Sequence, residues 1–317
     1  MMPKIKNTIQ ALIREPSFVA QALRGEYRSG ATPFYAAANK IKFWDDDIDG
    51  GLEVVLEEHE RNPHRRSLEM LGEYYINKGQ NTIAEALLRD CFNRFGDIHI
   101  SNIIFAGIDR TVALVDDNKK ILYIALPKCA SSTIKNYFTY AKYSATYGEF
   151  VHFKHSEMYR IVSPEDLQSR YKDYFKFTVV RDPISRLKSY FTSNISNNAL
   201  RREAHGNPKF MELKTTPGPI EVAQKFYQYR QMFVDFRHHT DPMIGYLRGM
   251  LPFLNNVYNM SDLNTIRELL SNKYDVNIPD ERAMVTKKDD NVLENLKEAP
   301  FEGLKGFYKE DYLTFFS

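Results

Sequence analysis

One stretch constrains the chain more than any other: "ILYIALPKCASSTIKNYF", residues 121–138. "ILYIAL" is a short, unbroken apolar run, as expected of a strand buried on both faces. "SSTIKNYFTYAK" then places Ile134, Phe138 and Ala141 on one face of a helix. Between the two, "PKCAS" has to turn the chain so that the helix N-terminus points at the sheet edge. A helix start offers backbone N–H groups and the positive end of its dipole, and Lys128 adds an ammonium. Ser131, Ser132 and Thr133 supply further donors. The expectation is an anion pocket. The Gly-x4-Gly-Lys-Ser/Thr spacing of a nucleotide triphosphate loop is missing, and the lysine precedes the hydroxyl cluster, which disfavours an ordinary ATPase or kinase.

A second stretch, "FKFTVVRDPISRLKSYF", repeats the strand-to-helix theme. Arg181 closes the strand, Asp182 stands at an N-cap and Pro183 at the first helical position. Arg186, Ser189 and Tyr190 share a helix face by their i, i+3, i+4 spacing. A guanidinium at the strand end and a hydroxyl on the following helix suit a second phosphate group.

Around these motifs the chain alternates strands and helices from about residue 106 onward. "TVALVD" and "KILYIAL" flank "DDNK" as a hairpin would. "EFVHF", "FKFTVV" and "NNVYNM" are further predicted strands. The pattern predicts an α/β fold, a P-loop-like, mostly parallel sheet flanked by helices. Residues 193–219 read as one long polar loop. Residues 1–105 read as a separate, all-helical N-terminal region, and 106–317 as the main domain. In the former, Leu71, Gly72, Tyr75, Ala84, Leu88 and Gly96 follow tetratricopeptide-like spacing, which a plain helical hairpin fits equally. Asp45, Asp47, Asp49 and Gly50 match the first half of a calcium loop. Leu56 stands where its bidentate Glu belongs, so this is read as a solvated turn.

A formal net charge of +2 gives no global field for nucleic acid or a membrane surface. Two cysteines, Cys91 and Cys129, make neither a disulfide framework nor a metal cluster and suit a reducing compartment. No signal peptide or membrane span is read, and the expected location is the cytoplasm, of a bacterium.

Taken together, "PKCASST" and "RDPISRLKSY" resemble the 5′-phosphosulfate loop and 3′-phosphate motif of sulfotransferases that use 3′-phosphoadenosine 5′-phosphosulfate (PAPS). The likeness is greatest to the carbohydrate sulfotransferases of the chondroitin, dermatan and heparan 2-O type, over most of residues 120–317. "HTDP", from His239, is similar to a family His-x-x-Pro element, with Thr240 where a Trp is usual. "NNVYNMSDLNTIRELL" and "LKGFYKEDYLTFF" are similar to the later strand and helices. The resemblance implies that Lys128 binds the 5′-phosphosulfate and stabilises the leaving oxygen. It gives the same group to Cys129, Ala130, Ser131, Ser132 and Thr133, and the 3′-phosphate to Arg181 and Ser189. No catalytic role is assigned to the Cys129 side chain, and no metal is implied.

An acceptor hydroxyl needs a base. The heparan 2-O branch implies a histidine at a strand-to-helix junction, hence His155, with His152 second and Glu157 as the carboxylate alternative. His239 with Arg201 and Arg202 are the residues expected to face the acceptor, with Lys209 and Lys214 in the same segment. Tyr308, Asp311 and Tyr312 read as packing and capping. The expected acceptor is a sugar or glycan; a small secondary metabolite, or a non-catalytic nucleotide-binding adaptor, fits the same residues. The N-terminal helices are the expected place for any protein partner.

Overall fold

The structure is a computed structural model. It describes residues 78–95, 109–148, 158–195, 198–203, 208–210, 213–280 and 299–317, with the single positions 53, 56, 59, 60, 68, 71, 72, 74, 75, 151 and 296. In chain order the principal elements are helix α1 (Asn81–Phe95), strands β1 (Thr111–Asp116) and β2 (Ile121–Ile124) and helix α2 (Ser131–Tyr143). Strands β3 (Tyr159–Val162) and β4 (Phe175–Val180), helix α3 (Pro183–Tyr190) and the short strands β5 (Lys209–Phe210) and β6 (Leu213–Lys214) follow. Helix α4 (Val234–Thr240), strand β7 (Asn256–Asn259) and helices α5 (Leu263–Tyr274) and α6 (Lys309–Phe315) complete the set. The described residues fall into two compact units: 109–181 with 246–280, and 182–245 with 299–317 and the described part of 53–95.

The first unit is a five-stranded sheet in the order β3-β1-β2-β4-β7. Every residue of β1 and β2 is buried, which is why β2 and the centre of β1 read as apolar runs. They form the expected hairpin, pairing antiparallel with Ala113 opposite Ile124. Its turn is built by Asp116, whose Oδ1 accepts the N–H groups of Asn118 and Lys119 at 3.0 and 3.1 Å. The Tyr274 hydroxyl donates to Asp116 Oδ2 at 2.6 Å and ties α5 to this turn. The sheet is mixed: β2–β4 and β4–β7 are parallel, while β1 pairs antiparallel with both β2 and β3. The parallel pairs are joined by long connections, whereas the four-residue turn between β1 and β2 forces antiparallel pairing.

Tyr123 stacks on Phe177 at 4.9 Å and on Phe138 at 6.3 Å, joining β2, β4 and α2 in one core. Each such ring contributes about 1.5–3 kcal/mol by leaving water. Asn136 is one of the buried polar residues on α2, with Thr133, Lys135 and Thr139. Its amide donates to the carbonyls of Ser132 and Gly148, and its Oδ1 accepts from the N–H groups of Tyr147 and Gly148. Lys135, also buried, lays its ammonium over the Tyr159 ring at 5.0 Å.

The predicted strand "EFVHF" is corrected. Val151 is helical, and the strand of this region is β3, "YRIV". Aromatic and β-branched residues at alternate positions suit a strand, but so short an apolar run also suits a helical turn; the rest of "EFVHF" lies outside the described residues. The single long loop predicted over 193–219 is also corrected. It holds a π-helical turn at Phe191–Ile195, a helix at Ala199–Glu203 and the β5–β6 hairpin.

The second unit packs around Ile184, Leu187 and Tyr190 of α3, with Phe226, Tyr229, Phe233, Phe236 and Tyr308. In the N-terminal part, positions 68, 71, 72, 74 and 75 are helical, Gly79 turns the chain at φ 72°, and α1 follows with Ala84 buried. Gly96 and the aspartates 45, 47 and 49 lie outside the described residues. Among the described residues no helix is long and apolar enough to cross a membrane.

Candidate functional site

Strands β2 and β4 run parallel with Ile124 opposite Thr178, and the Thr178 hydroxyl donates to the Ile124 carbonyl at 2.8 Å. The segments leaving both strands therefore emerge at the same carboxyl edge, where open α/β sheets bind ligands. Lys128 lies four residues beyond Ile124 and Arg181 three beyond Thr178. The Arg181 guanidinium donates to the Lys128 carbonyl at 3.3 Å. Two motifs 53 residues apart in sequence thus meet through one hydrogen bond.

The loop is unusual in its backbone. Lys128 and Ala130 both adopt left-handed conformations, φ 61° and 58°, although neither is glycine. Side chains with a Cβ rarely sit there, and such residues gather where a loop has a task besides connecting. Ala130 is the N-cap of α2, and its methyl cannot cap the helix as a Ser or Asp would. No acidic residue stands in the first turn of α2. A helix start with neither a capping carboxylate nor an acidic neighbour, beside a lysine and an arginine, fits an anion. Ser131 and Ser132 are half-buried there, and Thr133 is buried.

Cys129 is fully buried, so its side chain belongs to the core and only its backbone belongs to the loop. The N–H of Cys129 closes a turn on the Leu126 carbonyl at 3.4 Å. Burial raises the Tyr123 hydroxyl pKa well above the usual tyrosine range, and the nearby Cys129 adds to it. The Tyr123 hydroxyl is therefore not poised to ionise near neutrality.

Asp182 and Pro183 form the helix start expected of them. The Asp182 Oδ1 accepts the Ser185 N–H at 2.7 Å, and Pro183 opens α3. The Tyr312 hydroxyl donates to the other carboxylate oxygen of Asp182 at 2.9 Å. Burial works to raise the Asp182 pKa, but the hydrogen bonds from Ser185 and Tyr312, with the charge of Lys305, outweigh it and hold it below the ordinary value. Ser189 is half-buried in the second turn of α3.

Arg186 is buried on α3, and its Nη2 donates to the carbonyls of His239 (3.1 Å) and Asp241. Arg230 pairs with the Asp241 carboxylate, and Arg237 lies 3.5 Å from it. Asp311, fully buried, accepts the N–H groups of Met243 (2.9 Å) and Ile244 (2.8 Å). Burial raises its pKa, and those N–H groups and Arg186 only partly offset that. The Tyr308 hydroxyl donates to the Thr240 carbonyl at 2.8 Å. Tyr308, Asp311 and Tyr312 therefore cap and pack, as the sequence suggests.

His239 is held within this cluster: its Nδ1 lies 2.7 Å from the Asp235 carbonyl, and its ring lies against Tyr190 at 5.1 Å. Arg201 is exposed on the Ala199–Glu203 helix, which also carries Arg202. Lys214 is paired with Glu221 at 3.1 Å. His152, His155 and Glu157 lie outside the described residues. The described strand of that region begins at Tyr159, after them.

Sequence reasoning missed Asn136, the buried state of Arg186 and the Tyr312–Asp182 bond. Only Arg186 left a signal: a charged residue between Ile184 and Leu187 on the apolar side of a helix.

These features define the class first: an α/β protein with a candidate anion site where the carboxyl ends of two parallel strands meet a helix N-terminus. The chain belongs to the sulfotransferase family, whose model matches residues 112–317. No curated protein and no solved structure is matched by the chain.

Proposed function

We propose that the protein transfers a sulfuryl group from PAPS to an acceptor hydroxyl, that of a sugar or glycan. The observation that carries this reading is the contact of Arg181 with the Lys128 loop at the head of α2, in a chain of the sulfotransferase family. In this reading Lys128 and the head of α2, from Ala130 to Thr133, hold the 5′-phosphosulfate, while Arg181 and Ser189 hold the 3′-phosphate.

The chemistry asks for positioning and charge stabilisation. The acceptor oxygen forms a bond to sulfur as the bond from sulfur to the 5′-phosphate oxygen breaks. Lys128 stabilises the charge developing on that leaving oxygen, and adenosine 3′,5′-bisphosphate is the product. The acceptor proton passes to a base, for which His155 is proposed first and His152 second. Residues 1–105 are proposed as a helical appendage that bears on acceptor or partner choice rather than on the donor.

Calorimetric titration with adenosine 3′,5′-bisphosphate tests the donor assignment. Arg181→Ala removes a charge-assisted phosphate contact and should weaken binding roughly ten- to a hundred-fold. Unchanged affinity in a folded Arg181→Ala protein would sink the assignment.

A further inference from the structure

The face of α3 opposite its solvent side raises a question that donor binding does not answer: why a guanidinium is buried there at all. Arg186 is 1% exposed, and among the described residues its Nε and Nη1 have no hydrogen-bond partner. Removing a charge from water is expensive, and a well-packed apolar side chain of similar volume stabilises a core as well or better. Stability alone therefore does not explain Arg186. Its Nη2 is what does something specific, since it joins α3 to two carbonyls at the end of α4. One helical turn later Tyr190, fully buried, donates its hydroxyl to Asp235 Oδ2 near the start of α4 at 2.7 Å. The same carboxylate oxygen is 3.4 Å from the Asn194 amide, and His239 Nδ1 is 3.6 Å from the other oxygen. Ser189 lies between these two fastenings, and immediately beyond them the helix widens into the π-helical turn. There the hydroxyls of Thr192 and Ser193 both donate to the Ser189 carbonyl, at 3.2 and 2.8 Å.

We infer that Arg186 and Tyr190 are positioning residues for 3′-phosphate recognition: by fastening α3 to α4 at two successive turns they fix the height and rotation of Ser189. The inference rests on the proposal that Ser189 takes the 3′-phosphate. Apolar contacts alone leave a helix free to slide and rotate by small amounts, because they have little directional preference. Two directional bonds one turn apart remove both freedoms. Neither residue touches the ligand in this scheme.

The test compares two ligands that differ only in the 3′-phosphate, adenosine 3′,5′-bisphosphate and adenosine 5′-monophosphate. Each is titrated calorimetrically into wild type, Tyr190→Phe, Arg186→Met and Arg186→Lys, with thermal unfolding recorded for each protein. Wild type should prefer the bisphosphate. That preference should fall by about ten-fold in Arg186→Met and by a smaller factor in Tyr190→Phe, the scale of one misplaced charge-assisted bond. Affinity for the monophosphate should stay constant, and Arg186→Lys should restore part of the preference. If Arg186→Met does not fold, Tyr190→Phe and Asp235→Ala carry the test, since each removes one end of the second fastening. Equal weakening of both ligands, or an unchanged preference in folded variants, would overturn the positioning role. A wild type with no preference for the bisphosphate would instead overturn the 3′-phosphate assignment beneath it.

Discussion

Lys128 combines two properties that a pair of substitutions separates. Its ammonium is proposed to hold the donor, and its backbone sits at φ 61°, where a residue with a Cβ is strained by about 1–2 kcal/mol. Lys128→Ala removes the charge and keeps the strain. Lys128→Gly removes both, because glycine occupies the left-handed region freely. Glycine also gives the unfolded chain about 0.4–1 kcal/mol more entropy to lose, so the net gain over alanine is about 0.5–1 kcal/mol. For a chain of this size that corresponds to about 1–3 °C in Tm. Both variants should lose most turnover in a sulfuryl-transfer assay, since both lack the ammonium. Urea unfolding and calorimetry of the three proteins should then rank the glycine variant above the alanine variant in stability while the two remain equally inactive. A glycine variant no more stable than the alanine variant would refute the claim that the loop is strained at this residue. Retained turnover in either would refute the role given to the ammonium.

Two further outcomes are expected. Asp182 has its pKa held below the ordinary aspartate value in the fold, so its contribution is present above about pH 4 and lost as pH falls through the depressed value. Tyr312→Phe removes one of the bonds responsible, so the stability difference between wild type and this variant should be largest near neutrality and shrink below about pH 4; a difference constant across that range would contradict the argument. If His155 is the base, His155→Ala should cut turnover about 10²–10⁴-fold while leaving bisphosphate affinity within a factor of a few, and near-normal turnover would move the role to His152.

The parts of the fold that were legible in the sequence are those whose signal is local. β2, α2, β4 and α3 each carry an apolar pattern of one period and a boundary marked by Pro, Ser or Asp, and each lies where the pattern puts it. β3 was not legible, because four residues reading "YRIV" are too few to set a period. The two-residue strands of the β5–β6 hairpin are shorter still, and the five-residue π-helical turn has no period of its own that a sequence pattern shows. In the candidate site, Lys128 and Arg181 were legible as types at strand ends, and the parallel register of β2 and β4 explains why they meet. The HTDP element was legible as a motif but not in its use. It engages Arg186 and Tyr308 through its carbonyls, which every residue has, so the identities of His239 and Thr240 say nothing about those contacts.

The two helices that carry the proposed donor contacts are fixed by different means, and the difference follows from their lengths. α2 has thirteen residues, and those from Thr133 to Thr139 are all buried. A helix enclosed on that scale has most of its freedom removed by packing, and the hydrogen bonds of Asn136 set its register against Tyr147 and Gly148. α3 has eight residues and passes directly into a π-helical turn. So short a helix is marginal by itself, and it buries too few side chains for packing to fix its rotation. Directional bonds take over along its length: Tyr312 on Asp182 at the N-cap, Arg186 on the α4 terminus, and Tyr190 on Asp235. This explains why α3 keeps a buried Arg186 and Tyr190 despite the cost of desolvating them. It also predicts where the site is fragile. Loss of one methylene in the α2 core should lower stability without changing donor preference, while loss of one hydroxyl on α3 should do the reverse.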